Sequence, residues 1–316
     1  MLNNPENTEF SGDSALRQRI RARAIINGRA GTAMGIDGQS VTETLKTVLG
    51  EAGYTLDVEH VIPETIEAAI KSAAESDIDV LIVGGGDGTI RTAARYLMRT
   101  DKALGVMPLG TMNRLAKDLG IPLDLPGAAA ALARARPTQI DVATVNEEIF
   151  LCNSVMGATL RYSFGRAKLR GRPAHERLPR YFGIIREILG SRRKLSIVVD
   201  HGEQRLRIRA MSLVVANNGY DETPGALRRP DLAGGQLTMY VSKHRSGWGL
   251  AKAFLRALLG RWQGDPEMMK LVGREFAIHA RKGRKWLAND GEVGQFSTPL
   301  RYASVPRALT VLVPDQ

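Results

Sequence analysis

The chain has 316 residues, a formal net charge of +11 and a single cysteine, which excludes an intrachain disulfide and any four-cysteine zinc site. With 43% hydrophobic and 24% charged residues, the composition is that of a folded globular protein, and the length suits about two domains. The charge is divided between them: residues 1–160 carry 15 basic and 20 acidic side chains, residues 161–316 carry 29 and 13.

The start, Met1-Leu2-Asn3-Asn4-Pro5-Glu6, lacks the basic and apolar stretches of a signal peptide, and no apolar run is long enough to span a bilayer. The expected compartment is the cytoplasm, with any membrane approached from its surface. Residues 1–19 are polar and aperiodic and are expected to form a flexible tail. From Ile20 strand-like and helix-like segments alternate. Ala22 to Ile26 is an apolar run ending at Asn27-Gly28. Val41, Leu45, Val48 and Leu49 share one helical face. Tyr54 to Val61 alternates as a strand, and Pro63-Glu64 is expected to open a helix through Ala74. Asp79 to Val83 has the pattern of a strand buried on both faces. A helix over 88–98 and a strand from Ala103 to Met107 complete a parallel sheet wrapped by helices.

Near Arg136-Pro137 the pattern changes. Two strand-like runs flank Asn146-Glu147-Glu148 as a hairpin, with Cys152 a small core residue at the end of an apolar run. Strands at Leu195–Val199, Leu206–Ala210, Met211–Ala216 and Leu237–Val241 follow without helices between them. Asp200-His201-Gly202 and Ala233-Gly234-Gly235 read as antiparallel turns. Helical segments from Tyr162 to Leu189 and from Trp248 to Trp262 interrupt this β-rich half. The fold class is therefore α/β plus β: an N-terminal parallel-sheet α/β domain over 20–137, a C-terminal β-sandwich-like domain with helical insertions over 138–299, and a segment, 300–316, expected to return to the first domain.

Gly84-Gly85-Gly86-Asp87-Gly88-Thr89-Ile90 joins a buried strand to a helix. Its glycines let backbone approach a ligand, and the helix start offers unpaired N–H groups and a positive dipole end. In physical terms this is a phosphate site, in which Asp87 implies a Mg-nucleotide or proton transfer; the alternative is a tight turn with Asp87 as N-cap. It is neither the dinucleotide fingerprint nor a P-loop. Pro108-Leu109-Gly110-Thr111-Met112-Asn113 repeats the construction, and Asn27-Gly28-Arg29-Ala30-Gly31 follows the first strand. All three loops leave the carboxyl ends of parallel strands, where open α/β folds bind ligands.

Gly85-Gly86-Asp87-Gly88-Thr89, then Pro108 to Ala116, then Asp290-Gly291-Glu292, in that order, resembles the catalytic domain of the diacylglycerol kinase and sphingosine kinase family, and is most similar to its soluble bacterial lipid kinases. The resemblance implies a nucleotide domain, a lipid domain and ATP with Mg²⁺ in the cleft between them. It implies phosphate contacts from Asn27, Gly28, Arg29, Ala30, Gly31 and from Gly84 through Ile90, nucleotide contacts from Gly110, Thr111 and Asn113, and catalytic roles for Asp87, Asp290 and Glu292. Asp290 is the favoured proton acceptor and Glu292 the metal or nucleotide partner, with the reverse assignment open. Asp-Gly alone is also a common hairpin turn. Three departures stand out: Gly28 replaces a proline, Arg114 replaces an aspartate, and Gly234 replaces one aspartate of an Asp-Asp-Gly that holds a structural magnesium, leaving Asp231 as one candidate ligand.

Residues 161–210 hold 14 basic and 4 acidic side chains, and residues 243–285 hold 11 and 3. Interleaved with Tyr162, Phe164, Tyr181, Phe182, Trp248 and Trp262, they suit an anionic membrane surface. No nucleic-acid-binding motif accompanies the charge, so no specific nucleic acid is expected. The function expected is an ATP-dependent kinase of a diacylglycerol-like lipid, working as a peripheral protein on the inner face of the membrane, with a homo-oligomer compatible. The alternatives are a kinase of a soluble acceptor such as NAD and a non-catalytic module that binds nucleotide and membrane. The identity of the lipid is not legible.

Overall fold

The computed structural model describes residues 19–29, 37–169, 174–191, 194–221, 228–259, 261, 265–281 and 283–315. Ala30, Gly31, Trp262 and nearly all of the expected tail lie outside these residues. The first half runs β1 (Ile20–Asn27), α1 (Gly38–Glu51), β2 (Tyr54–Val61), α2 (Ile66–Glu75), β3 (Val80–Gly85), α3 (Asp87–Leu97), β4 (Ala103–Pro108), α4 (Arg114–Asp118) and α5 (Leu125–Ala133). α1 has no side-chain cap and buries Val41, Leu45 and Leu49, four residues apart, so packing of one apolar stripe holds it rather than its ends. β3 and β4 are buried along their whole length, as strands covered on both faces must be. α2 starts three residues later than Pro63 because Ile62 to Thr65 closes a turn first, with the Thr65 N–H donating to the Ile62 carbonyl.

The second half runs β5 (Ala135–Val145), β6 (Glu148–Phe150), β7 (Asn153–Gly157), α6 (Leu160–Leu169), α7 (Ala174–Gly190), β8 (Leu195–His201), β9 (Gln204–Ala210), β10 (Ser212–Asn217), β11 (Leu237–Ser242), α8 (Gly247–Leu258), β12 (Met268–Gly273), β13 (Glu275–Ala280), β14 (Arg284–Asn289), β15 (Glu292–Ser297) and β16 (Leu300–Pro314). Among the described residues the strands make two sheets. The first has the order β2-β1-β3-β4-β16-β13-β8-β9, with β5 on β16 and β6 on β5; the second is β12-β11-β10-β7-β14-β15. β16 joins the two halves: Thr310 and Val311 pair parallel with β4, while the strand pairs antiparallel with β5 and β13. Pro137 is no break in the chain's regular structure, since it sits inside β5 opposite Leu312. The long stretch from Asn218 to Gln236, not a tight turn at 233–235, connects β10 to β11.

One core lies between the parallel sheet and its helices. A second lies between the two sheets, where Ile197, Val199, Phe276, Ile278 and Leu300 face Leu213, Val215, Met239, Val241 and Leu287. The fold is thus a mixed sheet with helices joined to an antiparallel sandwich. No helix among the described residues is long and apolar enough to cross a membrane.

Candidate active site

The chain leaves the parallel strands β1, β3 and β4 at one edge of the sheet. Asn27 Oδ1 accepts from the Arg29 N–H at 3.1 Å, and the Gly28 N–H donates to the Val61 carbonyl at 2.8 Å, so the short Asn side chain turns the chain locally. Exposed Arg29 pairs with Glu64 at 3.5 Å. The loop after β3 and the loop after β4 touch through backbone. The Leu109 N–H donates to the Gly85 carbonyl at 3.2 Å, and a Cβ on Gly110 would collide with the Cα of Gly86. Gly110→Ala should push these loops apart and destabilise the protein by roughly 1–3 kcal/mol, the cost of overpacking; an unchanged midpoint of urea unfolding would contradict it.

α3 has Gly86 at its N-cap position and no side-chain cap, so its first N–H groups face the cleft under the positive end of the dipole. Asp87 is therefore not an N-cap of its own helix. Its Oδ1 accepts from the Arg114 N–H at 2.7 Å, pinning the start of α4 to the glycine loop. Asn113, left-handed at φ 47°, spends its amide on its own loop: Oδ1 accepts from the Gly110 N–H, and Nδ2 donates to the carbonyls of Pro108 and Gly110. Its part in a nucleotide site is to shape the loop, whereas Thr111 is exposed and Ile90 is buried in the core.

Asp290-Gly291 is the two-residue turn of the β14–β15 hairpin, with φ of 50° and 89°, the positive values that such a turn requires. Asp290 is also buried. Its Oδ2 accepts from the Leu151 N–H at 2.7 Å, and its Oδ1 from Cys152 at 2.8 Å and Asn153 at 3.0 Å. Those three donors commit both oxygens to the link between β6 and β7. Glu292, next on the hairpin, lies against the first turn of α3: a Cβ on Gly88 would stand 3.0 Å from its Oε1. Arg91 of α3 donates through Nη1 to the Asn289 carbonyl at 3.1 Å, so the hairpin is clamped onto the helix. A cavity of about 540 Å³ opens beside Arg91, Asn289, Glu292 and the turn Asn146–Glu148.

Two groups that the sequence did not single out hold the cleft together. Arg229, fully buried, donates through Nε and Nη2 to Asp118 Oδ2 at 2.9 and 2.7 Å, and through Nη1 to the carbonyls of Leu151 and Asn217 at 2.7 and 2.8 Å. It ties α4 to the same 151–153 link that Asp290 holds. Tyr220 accepts from Asn153 Nδ2 at 2.5 Å. Burial pushes its phenol up, as it does the Cys152 thiol, which keeps that thiol out of nucleophilic chemistry. In sequence Arg229 was one arginine of a basic half; only the fold brings Asp118 to it.

Around Gly234, the oxygens of Asp231 and Asn218 lie close to its backbone, and the nearby carboxylates take hydrogen bonds from their own surroundings. Asp141 Oδ2 accepts from Asn218 Nδ2 and the Gly235 N–H, and its Oδ1 from the Arg307 N–H. Asp231 Oδ1 accepts from the Ala233 N–H, and Gly234 offers no side-chain ligand. Among the described residues no three His, Cys, Asp or Glu side chains are grouped to hold a metal.

Residues 21–145 match the family model described as the diacylglycerol kinase catalytic domain. A probable lipid kinase YegS-like of Pseudomonas putida is 35% identical over 120 residues, 36% of this chain and 40% of the relative; its namesake in Yersinia pestis is 38% identical over 125 residues, 37% of this chain and 41% of the relative. The matched stretch thus spans about two fifths of the curated relatives' length. Among solved structures, a putative diacylglycerol kinase from Bacillus anthracis superimposes with a TM-score of 0.74 at 22% identity, covering 93% of this chain and 97% of that one. A second diacylglycerol kinase from the same organism gives 0.71 at 19%, with the same coverage. At these identities the superpositions speak for the fold.

Proposed function

We propose, for a chain whose residues 21–145 match the diacylglycerol kinase catalytic domain, an ATP-dependent lipid kinase that transfers the γ-phosphoryl group of ATP to a hydroxyl of a diacylglycerol-like lipid. The observation that supports this reading is the meeting of Glu292 with the N-terminus of α3 at Gly88. Phosphoryl transfer is governed by positioning and by neutralising phosphate charge, with a carboxylate to orient the attacking hydroxyl. The open N–H groups at Gly88 and Thr89 would hold phosphate oxygens, and Asp87 keeps the second loop against them.

Glu292, rather than Asp290, is the proton acceptor in this reading, because both oxygens of Asp290 are already engaged by backbone donors. As the lipid oxygen bonds to the γ-phosphorus, its proton passes to Glu292, the bond from that phosphorus to the ADP oxygen breaks, and phospholipid and ADP leave. Magnesium, brought with ATP, supplies charge neutralisation on the phosphates. The cavity beside Glu292 would admit the acceptor headgroup. Labelled ATP, offered with a panel of lipids in mixed micelles and with NAD, tests the assignment: labelled lipid is expected, and faster labelling of NAD would reverse the choice of acceptor.

The basic half would meet the membrane through α6, α7 and α8, which pack side by side. Phe182 is 72% exposed, Trp248 63% and Leu255 57%, among exposed Arg186, Arg245 and Lys252. Phe164 takes no part, since it stacks edge-on against Trp286 with ring centroids 5.0 Å apart. Large exposed apolar side chains among cations suit the headgroup layer of an anionic leaflet, which supports a peripheral protein working on the cytoplasmic face of the membrane. Replacing Phe182 and Trp248 together by Ser should weaken co-sedimentation with phosphatidylglycerol vesicles by at least about tenfold, from the apolar area no longer buried. Unchanged sedimentation would remove this face from the proposal.

A further inference from the structure

Arg114 occupies the cleft where the family resemblance expects a carboxylate. It opens α4 with its N–H on Asp87 Oδ1, and its side chain crosses to β7, where Nη1 donates to Asn153 Oδ1 at 2.8 Å. Among the described residues that is the guanidinium's one hydrogen bond, although the group carries five N–H donors. The neighbouring carboxylates do not absorb the rest: Asp290 is held by Leu151, Cys152 and Asn153, and Asp87 Oδ1 by the arginine's own backbone. Burial opposes the charge, but the guanidinium's pKa is held above its ordinary value, and Asp290 and Asp87 nearby favour the charged form. The cleft therefore contains a permanent cation with donors to spare, between the glycine loop and the Asp290-Gly291 turn. An anion with several oxygens is the ligand that matches such a group, because a guanidinium binds phosphate oxygens as a planar fork.

We infer that Arg114 contacts the phosphate chain of the nucleotide and neutralises the γ-phosphoryl group as it transfers, a resident cation that works beside the one brought with ATP. This rests on the phosphoryl-transfer reading above and adds no atoms to it: the same P–O bond forms and breaks, and the arginine keeps its proton throughout.

Calorimetric titration of the full chain with inorganic tripolyphosphate, in EDTA and again with magnesium, tests it without any lipid. Arg114→Gln should weaken binding by roughly 10- to 100-fold, the worth of hydrogen bonds to a charged group, with the larger loss in EDTA. Asn153→Ala, which removes the bracing partner of Arg114 together with the hydrogen bond to Tyr220, should retain the wild-type affinity. If both variants kept wild-type affinity, or both lost it alike, Arg114 would be a brace between the sheets and the inference would be wrong. Should Arg114→Gln fail to fold, Arg114→Lys carries the test, with about a tenfold loss expected and unchanged affinity overturning the inference. Arginine-dependent tripolyphosphate binding in a protein that labels no lipid would sustain Arg114 and overturn the lipid kinase assignment instead.

Discussion

Arg229→Met should destabilise the protein by about 3–5 kcal/mol, the usual consequence of removing one partner of a buried ion pair. The argument rests on what the change leaves behind. Asp118, with which Arg229 makes the 2.7 Å pair, is almost as buried as the arginine, so its carboxylate would lose its counter-ion and stay out of water. The carbonyls of Leu151 and Asn217 would lose a donor in the same step, and each unsatisfied buried acceptor adds roughly 1–3 kcal/mol. Methionine fills most of the volume, which separates loss of charge from loss of packing. Urea unfolding followed by circular dichroism measures the effect, and a midpoint within experimental error of wild type would show that Arg229 is not the strut between α4 and the 151–153 link. The double change with Asp118→Leu should recover part of the loss, because it removes the stranded carboxylate as well.

Glu292→Gln should lower turnover by about 10²–10⁴-fold, the range for a positioned general base, and leave the melting temperature unchanged. Glutamine keeps the shape of the side chain over Gly88, while it removes the negative charge and with it the capacity to take a proton. Asp290→Asn has the opposite signature. An amide can face the N–H groups of Leu151, Cys152 and Asn153 with one oxygen and must turn an NH₂ toward the remaining donors, so about 2–3 kcal/mol of stability is expected to go, with activity falling in step with the folded fraction. Thermal melts and rates on both variants separate the assignments: a stable, inactive Asp290→Asn beside an active Glu292→Gln would restore Asp290 as the base.

Much of the first half was legible because buried parallel strands announce themselves as continuous apolar runs, as in Val80 to Val83, and amphipathic helices by four-residue spacing, as in Val41, Leu45 and Leu49. The return of residues 300–316 to the first domain was expected, but not its form as strand β16, since its pairing with β4 joins segments from opposite ends of the chain, and periodicity is a local signal. The change of pattern near Arg136-Pro137 falls inside β5, where Pro137 lies opposite Leu312 of β16. At the site, the family resemblance implied that the glycine loop, Gly110 and the Asp290–Glu292 turn belong together, but it says nothing of what each carboxylate bonds to here. Asp290 and Glu292 are two residues apart and equally acidic in sequence. The turn sends one into backbone donors and the other over the helix end.

The central claim, transfer of phosphate to a lipid hydroxyl in this cleft, is tested most directly by incubating the folded wild-type chain with γ-labelled ATP, magnesium and dioleoylglycerol in mixed micelles containing phosphatidylglycerol, with Glu292→Gln in parallel. Labelled phosphatidic acid from the wild type and almost none from the variant is the predicted result. No labelled lipid from folded protein with this or any other acceptor in the panel, or equal labelling by both proteins, would contradict the account.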